Sequence, residues 1–310
     1  MGKSIDFLKN KKILITGGSG YLGSRLSEKL IDTKAIIHLT DIKFNHEATQ
    51  IVSAEKNSFF HEADLTDTES VRKICADIKP DYIFHFAALL NRERDFSIFE
   101  KVYNVNVRGT LNLLNALKDI DYKGFYFSST SEVYGSENNP PFDEHQLPNP
   151  VSPYSLSKLM AENLIQTFSA NYNKPHTIFR IFNFYGSNMP VSTLFGQLLE
   201  AAKSGKTFLM TKGEQKRDYL SIDQLIEQIL FVVTQNNPPG VINLCSGKSV
   251  QIAEFVETFQ TAVNNSFRVE KTLPYRLNEI WDIVGSTQKL TNLGYEIKQP
   301  NLQTDFSECV

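Results

Sequence analysis

The chain has 310 residues, 41% hydrophobic and 22% charged, with a formal net charge of −3. That length buries a sizeable core, as one large domain or two unequal ones. The charge leaves no electrostatic footprint for nucleic acid or an anionic membrane. Cys75, Cys245 and Cys309 form no Cys-x-x-Cys pair, so no zinc site is read and free thiols in a reducing cytosol are expected. The opening stretch MGKSIDFLKNKK is too polar for a signal peptide, and Asp6 stands where a myristoylation signal needs Ser or Thr. No apolar run approaches the ~20 residues of a membrane span, so a cytoplasmic protein is expected.

In chain order, residues 12–16 read as a buried strand, 20–31 as a helix and 35–40 as a second strand. The first strand enters its helix through Thr16-Gly17-Gly18-Ser19-Gly20-Tyr21-Leu22-Gly23. Glycines here let backbone N–H groups approach a pyrophosphate at a helix N-terminus, where the dipole favours anions. No Gly-Lys-Ser/Thr follows, so this is not a triphosphate P-loop. Asp41 closes the second strand 18 residues after Gly23. A carboxylate there accepts bonds from an adenosine ribose and repels a 2′-phosphate, favouring NAD over NADP. The plainer reading of the glycines is a tight turn.

Residues 58–62 read as a third strand, 68–78 as a helix, 82–87 as a fourth strand, and the region near 99–117 as a long helix. Asp64-Leu65 falls where an adenine edge would lie, although Asp64 and Asp67 equally suit helix capping. His85-Phe86-Ala87-Ala88 ends the fourth strand with small residues that let the backbone pack against a cofactor. His85 itself reads as a satisfied core histidine rather than a catalyst. The run Asn91-Arg92-Glu93-Arg94-Asp95 reads as a solvated loop of mixed charge. Asn106, a poor helix former inside a helix, points to a polar role beneath the site.

Residues 124–129 read as a fifth strand, 153–172 as a helix and 176–182 as a sixth strand. Strands alternating with helices imply an α/β, Rossmann-like, doubly wound parallel sheet. At the end of the fifth strand, Ser128-Ser129-Thr130-Ser131-Glu132-Val133-Tyr134-Gly135 places hydroxyls and a carboxylate where such folds bind ligands. A polar turn with a capping Glu is the plainer reading. Beyond 182 the pattern loosens, with helices near 193–204, 222–234 and 252–263 and loops at 137–150 and 236–240. This part reads as a cap on the first domain rather than a second independent core.

Within Ser-Pro-Tyr-Ser-Leu-Ser-Lys at 152–158, Tyr154 and Lys158 stand four apart and so project from one helix face. A free tyrosine ionises near pH ~10, so moving it to about 7 takes roughly 4 kcal/mol of preferential phenolate stabilisation. A nearby lysine and an oxidised nicotinamide could supply that and make the phenol a general base for a sugar hydroxyl. Taken alone, the spacing more often decorates a solvated face.

With these motifs in register, the chain resembles the extended short-chain dehydrogenase/reductase superfamily, in its NAD-dependent nucleotide-sugar epimerase/dehydratase branch. The matching residues are Thr16–Gly23, Asp41, Asp64-Leu65, His85–Ala88, Asn106-Val107-Arg108-Gly109-Thr110, Ser128–Gly135, Tyr154/Lys158, the segment 180–186, Arg217-Asp218-Tyr219 and Arg276. The resemblance implies an NAD-binding Rossmann domain over 1–182, to which 220–247 returns, and a mainly substrate-binding cap over 183–310. It implies cofactor contacts at Gly17, Gly20, Tyr21, Leu22, Gly23, Asp41, Asp64, Leu65, Phe86, Ala87, Ala88, Asn106, Ser128, Tyr154, Lys158 and Phe182. Tyr154 is then the base, Lys158 its support and the holder of the nicotinamide ribose, and Thr130 the partner of the sugar O4. Asn183, Arg217 and Arg276 fall to the nucleotide diphosphate, for which guanidinium forks are suited. The plainer reading of the two arginines is a pair of surface salt bridges.

The implied reaction passes through a transient 4-keto sugar. The Thr130-Ser131-Glu132 triad resembles 4,6-dehydratases and uronate decarboxylases, in which Glu132 is catalytic, and a Glu also stands there in some 4-keto-sugar reductases. Simple epimerases carry small neutral residues there. Ser187 replaces a usual proline, Gly285-Ser286 a usual Ala-Asp, and residues 89–95 lack the prolines of decarboxylases. Dehydratase or epimerase chemistry is therefore favoured, with NAD(P)H-dependent 4-keto-sugar reduction next and decarboxylation after it. A non-catalytic dinucleotide sensor is the reading from a different class. Helices near 99–117 and 153–172 match those that pair subunits in relatives, which implies a homodimer.

Overall fold

The computed structural model describes residues 5–91, 93–235, 240–264 and 266–309, so Arg92 and most of the expected 236–240 loop lie outside it. Two compact units form. One comprises Met1–Val133, Pro150–Arg180 and Ile229–Ile242; the other Tyr134–Asn149, Ile181–Gln228 and Asn243–Val310.

The strands in chain order are β1 (Lys12–Thr16), β2 (Ile36–Asp41), β3 (Ser58–Glu62), β4 (Tyr82–His85), β5 (Gly124–Thr130), β6 (Thr177–Ile181), β7 (Asn183–Tyr185), β8 (Phe208–Leu209), β9 (Lys216–Ser221), β10 (Gly240–Leu244), β11 (Ser249–Gln251), β12 (Val269–Glu270) and β13 (Asp282–Ile283). Seven of them form one sheet in the order β10-β6-β5-β4-β1-β2-β3. The pairings of β1 with β2 and β4, of β2 with β3 and of β4 with β5 are parallel. The order reverses between β1 and β4, the switch point at which open α/β sheets bind ligands. The expected fold class is the one observed.

The helices are α1 (Tyr21–Ile31), α2 (His46–Ser53), α3 (Thr68–Ile78), α4 (Phe99–Tyr103), α5 (Gly109–Leu117), α6 (Pro153–Tyr172), α7 (Leu194–Ser204), α8 (Ile222–Val233), α9 (Ile252–Ala262), α10 (Gln288–Asn292) and α11 (Leu302–Cys309). The single helix expected near 99–117 is interrupted by a π turn over Asn104–Arg108 between α4 and α5. Helix α2 has no counterpart among the elements expected from sequence. Apolar side chains of β1, β4, β5, α3, α5 and α6 fill one core, with Leu14, Ile83, Phe125, Leu113, Leu117 and Ile165 all buried. Truncating one of these leucines to alanine costs about 2–5 kcal/mol. Helix α6 starts firmly because Ser152 and Ser155 form a reciprocal capping box and Pro153 holds the first helical position.

The second unit gathers a buried aromatic cluster of its own, beyond what the loose sequence pattern suggested. Phe195, Phe255, Phe259 and Phe306 pack ring to ring, and Tyr219 stacks on Phe255 at 4.0 Å. The Tyr185 hydroxyl donates to Asp305 of α11. A small sheet in the order β11-β9-β13, with β7 also on β9, supports it.

Candidate active site

The glycine turn is shaped for close backbone approach. Gly17 has φ +68°, and a Cβ there would lie 2.7 Å from the Ala87 nitrogen. A Cβ on Gly23 would overlap the Gly17 carbonyl. Helix α1 begins at Tyr21 with no side-chain cap from Gly20, so its first amides and dipole form an anion-binding end. Asp41 is fastened to this turn: Oδ2 accepts from Ser19 N at 3.1 Å and Ser19 Oγ at 2.9 Å, and Oδ1 from Ile42 N at 2.8 Å. Ser19 lies inside the glycine string, and nothing in the sequence marks this role. A glycine cradle, a helix N-terminus without a side-chain cap and a carboxylate at the end of β2 together fit a dinucleotide.

Of the candidates after β3, Asp67 caps α3, while the exposed Asp64 accepts from Thr66 N at 2.8 Å. Leu65 is buried, and a Cβ on Gly109 would lie 3.1 Å from its own Cβ.

His85 is the satisfied core histidine expected. Thr110 Oγ1 donates to the Asn106 carbonyl at 2.6 Å, so its bond to His85 Nε2 at 2.8 Å must run from the ring N–H to the hydroxyl. Nδ1 then accepts from Thr16 Oγ1 at 2.7 Å, and Thr16 Oγ1 in turn accepts from Ala87 N at 3.3 Å. Burial, with Lys158 nearby, holds the imidazole neutral and lowers its pKa to about 3. The chain of bonds fixes the ends of β1 and β4 beside the half-buried Phe86, Ala87 and Ala88.

Asn106, in the π turn, has Oδ1 accepting from Leu89 N at 2.7 Å and Nδ2 donating to Leu89 O at 3.2 Å and Ser157 Oγ at 2.9 Å. Ser157 Oγ donates to the Tyr154 carbonyl at 2.7 Å. The loop after β4 and the first turn of α6 are thus tied through one amide.

Tyr154 is half-buried and Lys158 fully buried on α6. Lys158 Nζ donates to the Ser128 carbonyl at 2.6 Å and lies 4.5 Å from the Phe127 ring centroid. Burial lowers its pKa to about 7, against the pull of Glu162. Next along β5, Ser129 Oγ donates to Glu162, which is in a buried ion pair with Arg180 at 2.8 Å. Thr130 Oγ1 accepts from Glu132 N at 3.2 Å, which leaves its own hydroxyl proton for another acceptor. Both Thr130 and Glu132 are half-buried. The carboxyl end of β5 is therefore clamped residue by residue to the helix that bears Tyr154 and Lys158.

Arg94 corrects the sequence reading of a solvated loop: its Nε and Nη1 are withdrawn from solvent and meet no hydrogen-bond partner. Only the tertiary fold buries it, and no local pattern marks it.

In the second unit, Phe182 is buried and Asn183 Nδ2 donates to the Asp218 carbonyl at 3.5 Å. Arg217 pairs with Glu279 at 2.6 Å and donates to Ile280 O at 2.8 Å, whereas Arg276 is exposed. Asp218, which the sequence marks only within the Arg217-Asp218-Tyr219 match and gives no role, is a buried clamp: Ser246 N, Ser246 Oγ, Gly247 N and Gly285 N all donate to its carboxylate. Burial raises its pKa to about 6 against those bonds. A Cβ on Gly285 would lie 2.6 Å from Cys245 Sγ, so the glycine there makes room for that thiol.

A sequence model of the family described as GDP-mannose 4,6 dehydratase matches residues 14–293. The chain belongs to this family. It lies within the extended short-chain dehydrogenase/reductases that the motifs resemble. The dTDP-D-glucose 4,6-dehydratase of Mus musculus is 27% identical over 303 residues, covering 94% of this chain and 85% of that protein. The UDP-N-acetylglucosamine 4-epimerase of Methanobrevibacter ruminantium M1, solved with UDP-N-acetylmuramic acid, superposes with a TM-score of 0.87 at 25% identity, covering 97% of each chain. A UDP-glucuronic acid 4-epimerase from Bacillus cereus, solved with UDP-glucuronic acid and NAD, gives a TM-score of 0.85 at 25% identity over 95% of this chain and 96% of that one. Relatives of both chemistries, dehydration and epimerisation, are thus similar to this chain.

Among the described residues no group of three His, Cys, Asp or Glu side chains could hold a metal ion, and no helix is long and apolar enough to cross a membrane.

Proposed function

We propose that the protein is an NAD-dependent nucleotide-sugar epimerase or dehydratase that acts through a transient 4-keto sugar. The observation that carries this reading is the pinning of Lys158 to the Ser128 carbonyl on the same helix as Tyr154, with Thr130 and Glu132 at the strand end so held. The glycine cradle, the uncapped start of α1 and Asp41 would hold NAD, with Phe86, Ala87, Ala88 and Ser128 along its path. When bound there, NAD would supply reversible hydride acceptance for C4.

Thr130 donates its remaining hydroxyl proton to the sugar O4, and Tyr154 takes the O4 proton as general base. Lys158, kept close to its neutral-to-cation transition by burial, favours the phenolate whenever it carries its proton. Glu132 would remove the acidified C5 proton in a dehydratase and has no such task in a simple epimerase. Asn183, Arg217 and Arg276 are assigned to the diphosphate, which makes the second unit mainly substrate-binding and the first mainly cofactor-binding. For Arg217 that assignment means sharing its guanidinium with Glu279.

A groove of about 680 Å³ is lined by Tyr103, Val107, Leu111, Met160, Leu164 and neighbouring polar residues, with Tyr103 and Leu111 exposed. It supports homodimerisation through α4, α5 and α6. The buried, unpaired thiols of Cys75 and Cys245 support a reducing, cytoplasmic location.

The test is the mass of each nucleotide sugar in a panel after incubation with enzyme and NAD. Loss of one water establishes a 4,6-dehydratase, and unchanged mass with altered retention establishes an epimerase. No reaction with any member would overturn the proposal.

A further inference from the structure

Between β4 and α4, Arg94 keeps two guanidinium nitrogens out of water with nothing to bond. Nε and Nη1 meet no acceptor, and the neighbouring Asp95 spends its Oδ1 on Ser97 N at 2.7 Å. Buried donors of a cation without an acceptor destabilise a fold, and an oxyanion placed against them would complete this one. Its surroundings say where that ligand lies. His85 pairs with Phe127, so the segment leaving β4 starts beside Ser128, Ser129 and Thr130. Leu89 at its root is held by Asn106, which reaches Ser157 on α6, and α4 at its far end packs against α6. Both ends of the segment are therefore fixed to the helix of Tyr154 and Lys158.

We propose that Arg94 is a specificity-determining residue that takes an oxyanion of the substrate in this site. The inference rests on the nucleotide-sugar reading above and adds to it a charge requirement. A planar guanidinium offers paired N–H groups that match the two oxygens of a carboxylate or a phosphate. Two parts of a nucleotide sugar present such oxygens: a carboxylate on the sugar ring and the diphosphate.

The experiment is equilibrium binding of UDP, UDP-glucose and UDP-glucuronate, with GDP-mannose, CDP-glucose and dTDP-glucose to cover other bases, to the full-length wild type, Arg94→Gln and Arg94→Lys. Thermal melting of each protein runs alongside. A loss of about tenfold or more in Arg94→Gln confined to UDP-glucuronate assigns the sugar carboxylate. An equal loss across UDP and its sugars assigns the diphosphate. In either case Arg94→Lys recovers part of the affinity, and Arg94→Gln melts no lower than the wild type, because it removes donors the fold does not satisfy. A merely structural arginine would do the reverse, lowering the melting temperature and leaving affinities within twofold. That result overturns the proposal while keeping the nucleotide-sugar reading. A weakened dimer with unchanged affinities also overturns it, by placing the acceptor on a second copy. A wild type that binds none of the probes removes the nucleotide-sugar reading and this proposal with it.

Discussion

Asn106 Nδ2 donates to Ser157 Oγ at 2.9 Å while the same amide brackets both backbone groups of Leu89. One side chain from a π turn therefore sets the loop after β4 and the first turn of α6 in mutual register. π turns of this kind recur at functional sites, because the extra residue re-aims a side chain. Asn106→Ala leaves the Leu89 amide and carbonyl without these partners. It should cost about 1–3 kcal/mol in urea unfolding. In steady-state kinetics it should lower kcat about tenfold or more with little change in KM, since the base is misplaced rather than removed. Equal losses in both constants would point to a general loosening instead.

Tyr154→Phe removes the phenol and keeps the ring. General-base catalysis contributes roughly 10²–10⁴-fold, so kcat should fall by that amount. Affinity for the nucleotide sugar, measured calorimetrically, should stay within about threefold. Turnover at the wild-type rate would remove Tyr154 from the mechanism.

Glu132→Gln separates the two favoured chemistries. A dehydratase should lose elimination and still exchange hydride at C4, visible as deuterium washing from C4 into the cofactor. An epimerase should keep its rate within a few-fold.

Asp41→Ala opens the end of β2. It releases Ser19 N and Oγ from Oδ2, the hydroxyl keeping its bond to the Lys43 carbonyl, and removes the charge that would repel a 2′-phosphate. NAD affinity should fall and NADP affinity should rise relative to it, as read by quenching of intrinsic fluorescence in titrations with each cofactor. An unchanged ratio would restrict Asp41 to fixing the turn.

The parts of this architecture that were legible in sequence share a physical cause. Strands β1, β3 and the helices α3 and α6 are marked by apolar runs or capping residues, and the structure gives them at the residues expected: Lys12–Thr16, Ser58–Glu62, Thr68–Ile78 and Pro153–Tyr172. Interior bonds leave less of a trace: His85 and Asn106 stand out as polar residues in apolar elements, but their partners do not. The π turn keeps the apolar spacing of an ordinary helix, so only the reach of Asn106 to Leu89 and Ser157 reveals it. Ser19 is indistinguishable from a turn serine until Asp41 folds against it. Arg94 sits in a run of alternating charges that reads as solvated, and its burial is decided by the elements around it. Helix α2 carries too few apolar positions to stand out from a polar connection.

His85 gives the pH dependence of stability a definite sign. Its folded pKa of about 3 lies below the ordinary value of 6.5, so the unfolded chain takes up the proton first as pH falls. Stability is then level above pH 6.5 and declines from 6.5 towards 3, by roughly 2 kcal/mol at pH 5 from this group alone. His38, bonded to His61 at 3.0 Å and lowered to about 4 by burial and by its neighbour, acts in the same direction. His85→Gln keeps an amide able to donate and accept but cannot titrate. It should cost about 1–3 kcal/mol at pH 7 through poorer bonds to Thr16 and Thr110. Its stability should also fall less steeply than that of the wild type between pH 6.5 and 4.5, in urea titrations at each pH. Parallel curves for the two proteins would mean that His85 takes up its proton in the folded state, against the directed bonds from Thr16 and to Thr110.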